Sequence, residues 1–298
     1  MRAWPPIIEP ALLERLALDD EQFLAFVREM AAALGRRAYE PALLERALAY
    51  PWRRPARSYV LRDGDVELIA ELDPAARRRT VGAFAAERHP LLAFGSNAAP
   101  STLTAKFAHF PDEADRTVLV LAGDLHGFDV GASASPTGYG VMPAALFASP
   151  QTAVRAAVLW VTATQATLLT WSELSYRLGR LDGAHFAVDD ADLGVVELYA
   201  YVSRFGAFCV DGAPVALAAV PATGRTAAAL TQEELLDAVA RLILGPDAHA
   251  EHLVRAIFED MAEVVARAPE TVWSSSQPLA PHHWTLFPTN GDTRSVER

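Results

Sequence analysis

The sequence predicts an α+β protein, on three observations. Apolar residues recur at helical spacing through residues 1–89, the middle of the chain breaks into short β-type runs divided by Gly, Pro, Asp and Ser, and amphipathic helical patterns return near residue 231. These changes of texture divide the chain into a helical segment over residues 1–87, a sheet-bearing domain over 88–225, and helices with a tail over 226–298.

In the first segment, ALLERLALDDEQFLAFVREMAAALG places apolar residues on a helical face, and Gly35 is its expected stop. PALLERLAL at 10–18 and PALLERALA at 41–49 are near copies, each with proline suited to a first helical turn. Two copies are too few for a solenoid, so they read as two similar helices packed together. From His89 the strand candidates are LLAF, TVLVLAGDLHGFDV, YGVMPAALFA and AVRAAVLWV, a sheet or barrel region. A helix is expected from about Thr164 to Arg177, marked by Leu168, Leu169, Trp171 and Leu174, before VVELYAYVS and FCVDGAPVAL resume strand character. Thr231 with Glu234 forms a capping box that opens a helix stopped at Gly245, and HAEHLVRAIFEDMAEVVARA gives another. The tail from Trp273 has no periodic pattern.

A formal net charge of -11 argues against a partner held by phosphate contacts, so no nucleic acid is expected. The arginines between Arg53 and Arg57, and the run Arg77, Arg78, Arg79, read as solvated faces. A single cysteine, Cys209, excludes an intrachain disulfide and cysteine metal clusters. No signal-peptide core is evident, and no run reaches the roughly 18 apolar residues of a membrane-spanning helix, so the expected location is the cytoplasm, without a membrane partner. Oligomeric state is left open, homo-oligomers included.

Two stretches carry the chemistry. In LLAFGSNAAPSTL, Gly95, Ser96 and Asn97 tolerate unusual backbone angles, and Ser101 or Thr102 can cap the following helix. Backbone N–H groups near a helix start suit an anion or a developing oxyanion. In TWSELSYRLGRL, Glu173 stands among Trp171, Leu174 and Tyr176, where desolvation would raise its pKa toward that of a general acid/base; an exposed glutamate on a polar face is the alternative.

Together these stretches resemble the γ-glutamylcyclotransferase-like proteins over about residues 90–210. The shared order is a strand ending in Phe-Gly-Ser-Asn, a helix with Lys106 and Phe107, a glycine-rich strand pair, an AVLWV strand, and Glu173 with Tyr176, Asn97 and Glu173 being 76 residues apart. The resemblance implies a mixed β-barrel, here with added N- and C-terminal helices. It also implies a substrate pocket at Phe94, Gly95, Ser96, Asn97 and Tyr176, with Glu173 as the catalytic acid/base. The implied reaction closes 5-oxoproline from a γ-glutamyl amide, or a ring from a related small acyl amine. The substrate amine attacks its own carbonyl, so neither cofactor nor metal is required.

The chain departs from the family at Phe94 for tyrosine, at Leu174 where glycine usually follows the glutamate, and at Ala98 and Ala99 after the loop. A non-catalytic module that binds a small anion or a protein partner on the same fold is the alternative. Lys106, the only lysine, is accounted for by an arginine-favouring composition, and Tyr139, Tyr199 and Tyr201 by pocket lining or core packing. His126, His185, His252, His282 and His283 lack metal-ligand spacing.

Overall fold

The computed structural model describes residues 9–189 and 197–287. It is a mixed α+β protein built on a sheet that mixes parallel and antiparallel pairs and does not close into a barrel.

Three helices lead: α1 (Pro10–Leu16), α2 (Asp20–Leu34) and α3 (Pro41–Leu48). Asp19 and Gln22 form a capping box on α2, and Gly35 ends it with φ 59°, a conformation that glycine adopts freely. The near-copy helices α1 and α3 both begin at proline but serve different apolar clusters. Leu12 of α1 joins one with Tyr59 and Phe107, whereas Ala47 of α3 joins another with Leu92 and Phe94. The pairing suggested by the repeat is therefore corrected, since position in the fold overrides similarity of sequence.

The first segment is not wholly helical either. A hairpin of β1 (Tyr59–Arg62) and β2 (Asp65–Leu68) precedes α4 (Pro74–Glu87), and β1 pairs antiparallel with a strand of the main sheet. Tyr59, Val60 and Leu61 are buried on successive positions, so the two-residue alternation that would have marked a strand is missing.

β3 (His89–Ala93) runs into the Gly-Ser-Asn loop and α5 (Pro100–Phe107), followed by the single turn α6 (Glu113–Arg116). The sheet is dominated by β4 (Thr117–Ala132) and β5 (Ala144–Val161), an antiparallel pair. YGVMPAALFA and AVRAAVLWV belong to this one strand β5. Residues 149–152 leave the β4 ladder between the pairs Phe128 with Ala148 and His126 with Ala153, opposite Gly127 (φ 84°), and Pro150 is accommodated there.

α7 (Ala163–Ser172) begins with a capping box between Thr162 and Gln165. It stops five residues earlier than its apolar pattern suggested, because Tyr176 to Leu181 form strand β6. β7 (His185–Val188) pairs with β4, and β8 (Leu198–Ser203) lies parallel to β3 and antiparallel to β6. β9 (Ala207–Val210) and β10 (Ala213–Pro214) make a hairpin, and β11 (Ala216–Leu217), β12 (Ala222–Thr223) and β13 (Ala229–Leu230) add short pairings to the main sheet.

The expected capping box and Gly245 stop bound α8 (Gln232–Leu244), which packs against α9 (Ala250–Arg267); α2 and α3 lie on α9. The aperiodic tail holds two further pairings, β14 (Ser276–Gln277) with β9 and β15 (Trp284–Leu286) with β6. The largest apolar cluster draws Phe23, Leu92, Val158 and Val254 together, so both helical ends share a core with the sheet.

One polar contact in this core has a measurable consequence. Asp129 on β4 is fully buried, and Arg225 donates to both of its oxygens at 2.8 Å while also donating to Val220 O at 2.9 Å. Arg225→Met strands the carboxylate and is expected to cost about 3 kcal/mol in urea unfolding. The double variant Asp129→Leu, Arg225→Met is expected to recover most of that loss, because both desolvated charges are then gone.

Candidate active site

β3 delivers the chain to a tight turn. Arg54 Nη1 donates to Phe94 O at 3.0 Å, and the N–H groups of Ala98 and Ala99 return to the carbonyls of Gly95 and Ser96. This single 3-10 turn over Ser96–Ala98 leaves the Gly95, Ser96 and Asn97 N–H groups at its open start. Gly95 has no room for a side chain, because an added Cβ would lie 2.8 Å from the Tyr50 hydroxyl and 3.0 Å from Ala144 Cβ. α5 then starts at Pro100 with Ala99 in the N-cap place and no side-chain cap, so neither Ser101 nor Thr102 plays the capping part expected of them.

Glu173 lies just past the end of α7, where the helix stops in a turn: its N–H donates to Thr170 O, and its carbonyl accepts from the Tyr176 N–H. That turn brings the carboxylate to the loop. Asn97 Nδ2 donates to Glu173 Oε1 at 2.9 Å across a sequence separation of 76. Tyr176, at the start of β6 rather than on the helix, donates from its hydroxyl to Ala144 O at 2.8 Å. The Tyr50 hydroxyl accepts from the Ala144 N–H at 2.8 Å, so two tyrosines clamp one residue of the chamber wall through the peptides on either side of it.

Lys106 completes the arrangement. Its Nζ donates to Asn97 Oδ1 at 2.8 Å and to Ser172 Oγ at 2.7 Å, and lies 3.6 Å from Glu173 Oε1. Both side chains of the ion pair are about four-fifths covered, at 22% and 18% exposure. Burial pushes the Glu173 carboxyl above its ordinary value, with the Lys106 charge and the Asn97 hydrogen bond pulling it back. Burial likewise lowers the Lys106 ammonium, and Glu173 opposes that. The two contacts fall on Oε1, and among the described residues no donor is bonded to Oε2. One carboxylate oxygen is thus held while the other is available to exchange a proton.

These residues meet in one place. Phe94, Gly95, Ser96, Asn97, Glu173 and Tyr176 all line a chamber of about 40 Å³, with Tyr50, Tyr139 and Tyr201 completing its aromatic wall. A volume of that order holds about one water. Burial raises the phenols, Tyr139 to about 12, so they stay protonated at neutral pH. The chamber adjoins an outer cleft of about 530 Å³, and Ser96, Tyr139 and Glu173 belong to both. Lys106, Arg46, Trp52 and Ser172 are among the residues of the outer cleft.

Phe94 is buried in the core and also lines the chamber, while Leu174 packs with the second apolar cluster and Trp171 donates to Glu9. Neither Leu174 nor Trp171 lines the chamber. The sequence reading set Lys106 aside as a matter of composition and did not consider Tyr50. The available signal for Lys106 was its being one lysine among 26 lysine and arginine residues; Tyr50 gave none, since it follows a helix outside the recognised region. Among the described residues no group of three or more His, Cys, Asp or Glu is placed to hold a metal, and no helix is long and apolar enough to cross a membrane. Comparison with protein-family models, curated proteins and solved structures found no match to this chain.

Proposed function

We propose that the protein is a cyclotransferase-like enzyme that closes 5-oxoproline from a γ-glutamyl amide, or the corresponding five-membered ring from a related small acyl amine. The observation that carries this reading is the 2.9 Å contact between Asn97 of the loop and Glu173, inside a concave site. A base beside the N–H groups at the open start of a turn has the two elements that ring closure requires.

The substrate lies in the outer cleft with its reacting carbonyl at the junction formed by Ser96, Tyr139 and Glu173. Glu173 Oε2 takes a proton from the substrate ammonium, and the freed amine attacks the carbonyl carbon. The carbonyl oxygen, becoming negative, meets the loop N–H groups. Glu173 passes that proton to the departing nitrogen as the carbon–nitrogen bond breaks, and the second proton, shed by the ring nitrogen through the same carboxylate, follows it, giving the lactam and a free ammonium with no water consumed. Because nucleophile and carbonyl share one molecule, the site contributes orientation and proton transfer and needs no nucleophile of its own.

The small chamber volume favours a second reading, a binder that holds an anion in the outer cleft without turnover. Assay of 5-oxoproline release from γ-glutamyl dipeptides, glutathione and γ-glutamylamines separates the two. Release from at least one of them is the expected result; saturable binding of the panel with no release would replace the enzyme by the binder.

A further inference from the structure

A second cleft, of about 510 Å³, opens on the other side of the strap that follows α3. Its floor is made of small side chains, among them Ala98, Ala122, Ala156 and Ala157, and the strap supplies Trp52, Arg54 and Arg57. Volume and character are those of a small-molecule pocket, an apolar body space with a few polar groups at one place.

The charge on its lining is of one sign. Among the described residues Arg54, Arg57 and Arg155 line the cleft and no acidic residue does, in a chain whose net charge is -11. Arg155 is already paired, to Asp124 at 3.5 Å and to Asp189, and it also donates to Ala56 O at 2.6 Å. Arg54 is half-buried and donates to Phe94 O, and among the described residues it enters no ion pair. Arg57 is exposed and enters none of the ion pairs among the described residues. Among the described residues, two guanidinium groups without a carboxylate partner, three residues apart on one strap, therefore line an apolar floor. The stretch from Arg53 to Arg57, read from sequence as a solvated face, is in part the wall of a cavity.

We propose that this cleft is a binding site for a small organic anion with an apolar body, of the class of medium-chain or aromatic carboxylates, its carboxylate held by Arg54 and Arg57 and its body lying over the alanine floor. Both halves of the ligand are specified by the lining. A bare inorganic anion would leave the floor uncovered, and a neutral apolar molecule would leave the guanidinium groups without a partner.

The site is tested by calorimetric titration of the full chain with octanoate, with 1-octanol and inorganic phosphate as the probes that keep only one half of the ligand. Octanoate is expected to bind saturably, and at least about tenfold more tightly than either comparison probe. Arg57→Gln, which alters an exposed side chain, should weaken octanoate at least about tenfold. Ala219→Trp, at an exposed position on the cleft lining, should abolish binding with the thermal unfolding midpoint unchanged. Absence of saturable octanoate binding overturns the proposal, as does equal binding by both variants or phosphate binding as tight as octanoate. None of these readouts depends on cyclotransferase turnover.

Discussion

Glu173→Gln is expected to lower 5-oxoproline release by about 10² to 10⁴-fold, the usual contribution of a positioned acid/base. The amide keeps the side-chain length, and its oxygen can still accept from Asn97 Nδ2, so the loop stays anchored. What it loses is the oxygen that exchanges a proton. The loss is therefore expected in kcat with KM little changed, and it should not recover at any pH. Glu173→Asp separates position from chemistry, since withdrawing the carboxylate by one methylene breaks its reach to Asn97, and misplacement of that order can cost about 100-fold. Rate measurements on both variants, with circular-dichroism melts to check the fold, decide the matter. Turnover unchanged in the glutamine variant would remove Glu173 from the chemistry.

The same region shows which parts of the molecule its sequence discloses. Elements whose signal is local were legible: the capping box at Thr231 with Glu234, and the terminating Gly35 and Gly245, are decided within one turn. The hairpin of β1 and β2 was not, because Tyr59 to Leu61 are buried on both faces and lack alternation. The end of α7 was misplaced for a related reason. Leu174 and Tyr176 continue a helical apolar spacing, yet the chain reverses at Glu173, and Tyr176 and Leu178 are instead buried by strand pairing with β8. That reversal is what turns Glu173 toward Asn97. Of the site, the loop and the glutamate were visible as motifs, whereas Lys106 and Tyr50 are defined by contacts across the fold, which single-chain periodicity does not encode.

Lys106→Met carries the second large effect, on the order of 100-fold at neutral pH, because both the ionised fraction of Glu173 and the placement of Asn97 depend on the ammonium. Its signature is a pH profile rather than a flat loss. Burial already holds the Glu173 carboxyl above the ordinary carboxylate range, and Lys106 is the largest influence pulling it down. Without that charge Glu173 ionises only at still higher pH, so the acid limb of kcat/KM moves alkaline and activity returns as pH rises. Stability follows the same sign. A carboxyl raised in the folded state contributes stability that is full below its unfolded value and is lost as pH rises through the folded one; in the methionine variant that loss occurs at higher pH. Nearby Tyr50, Tyr139, Tyr176 and Tyr201 titrate too high to mimic this. Lys106→Arg keeps the charge but offers a planar fork in place of a compact ammonium to Asn97 and Ser172, and is expected to fall between the two with its acid limb near that of the parent. A methionine variant whose rate falls equally at every pH would show Lys106 to be structural only; recovery at high pH, absent in Glu173→Gln, would show that it acts through the carboxylate.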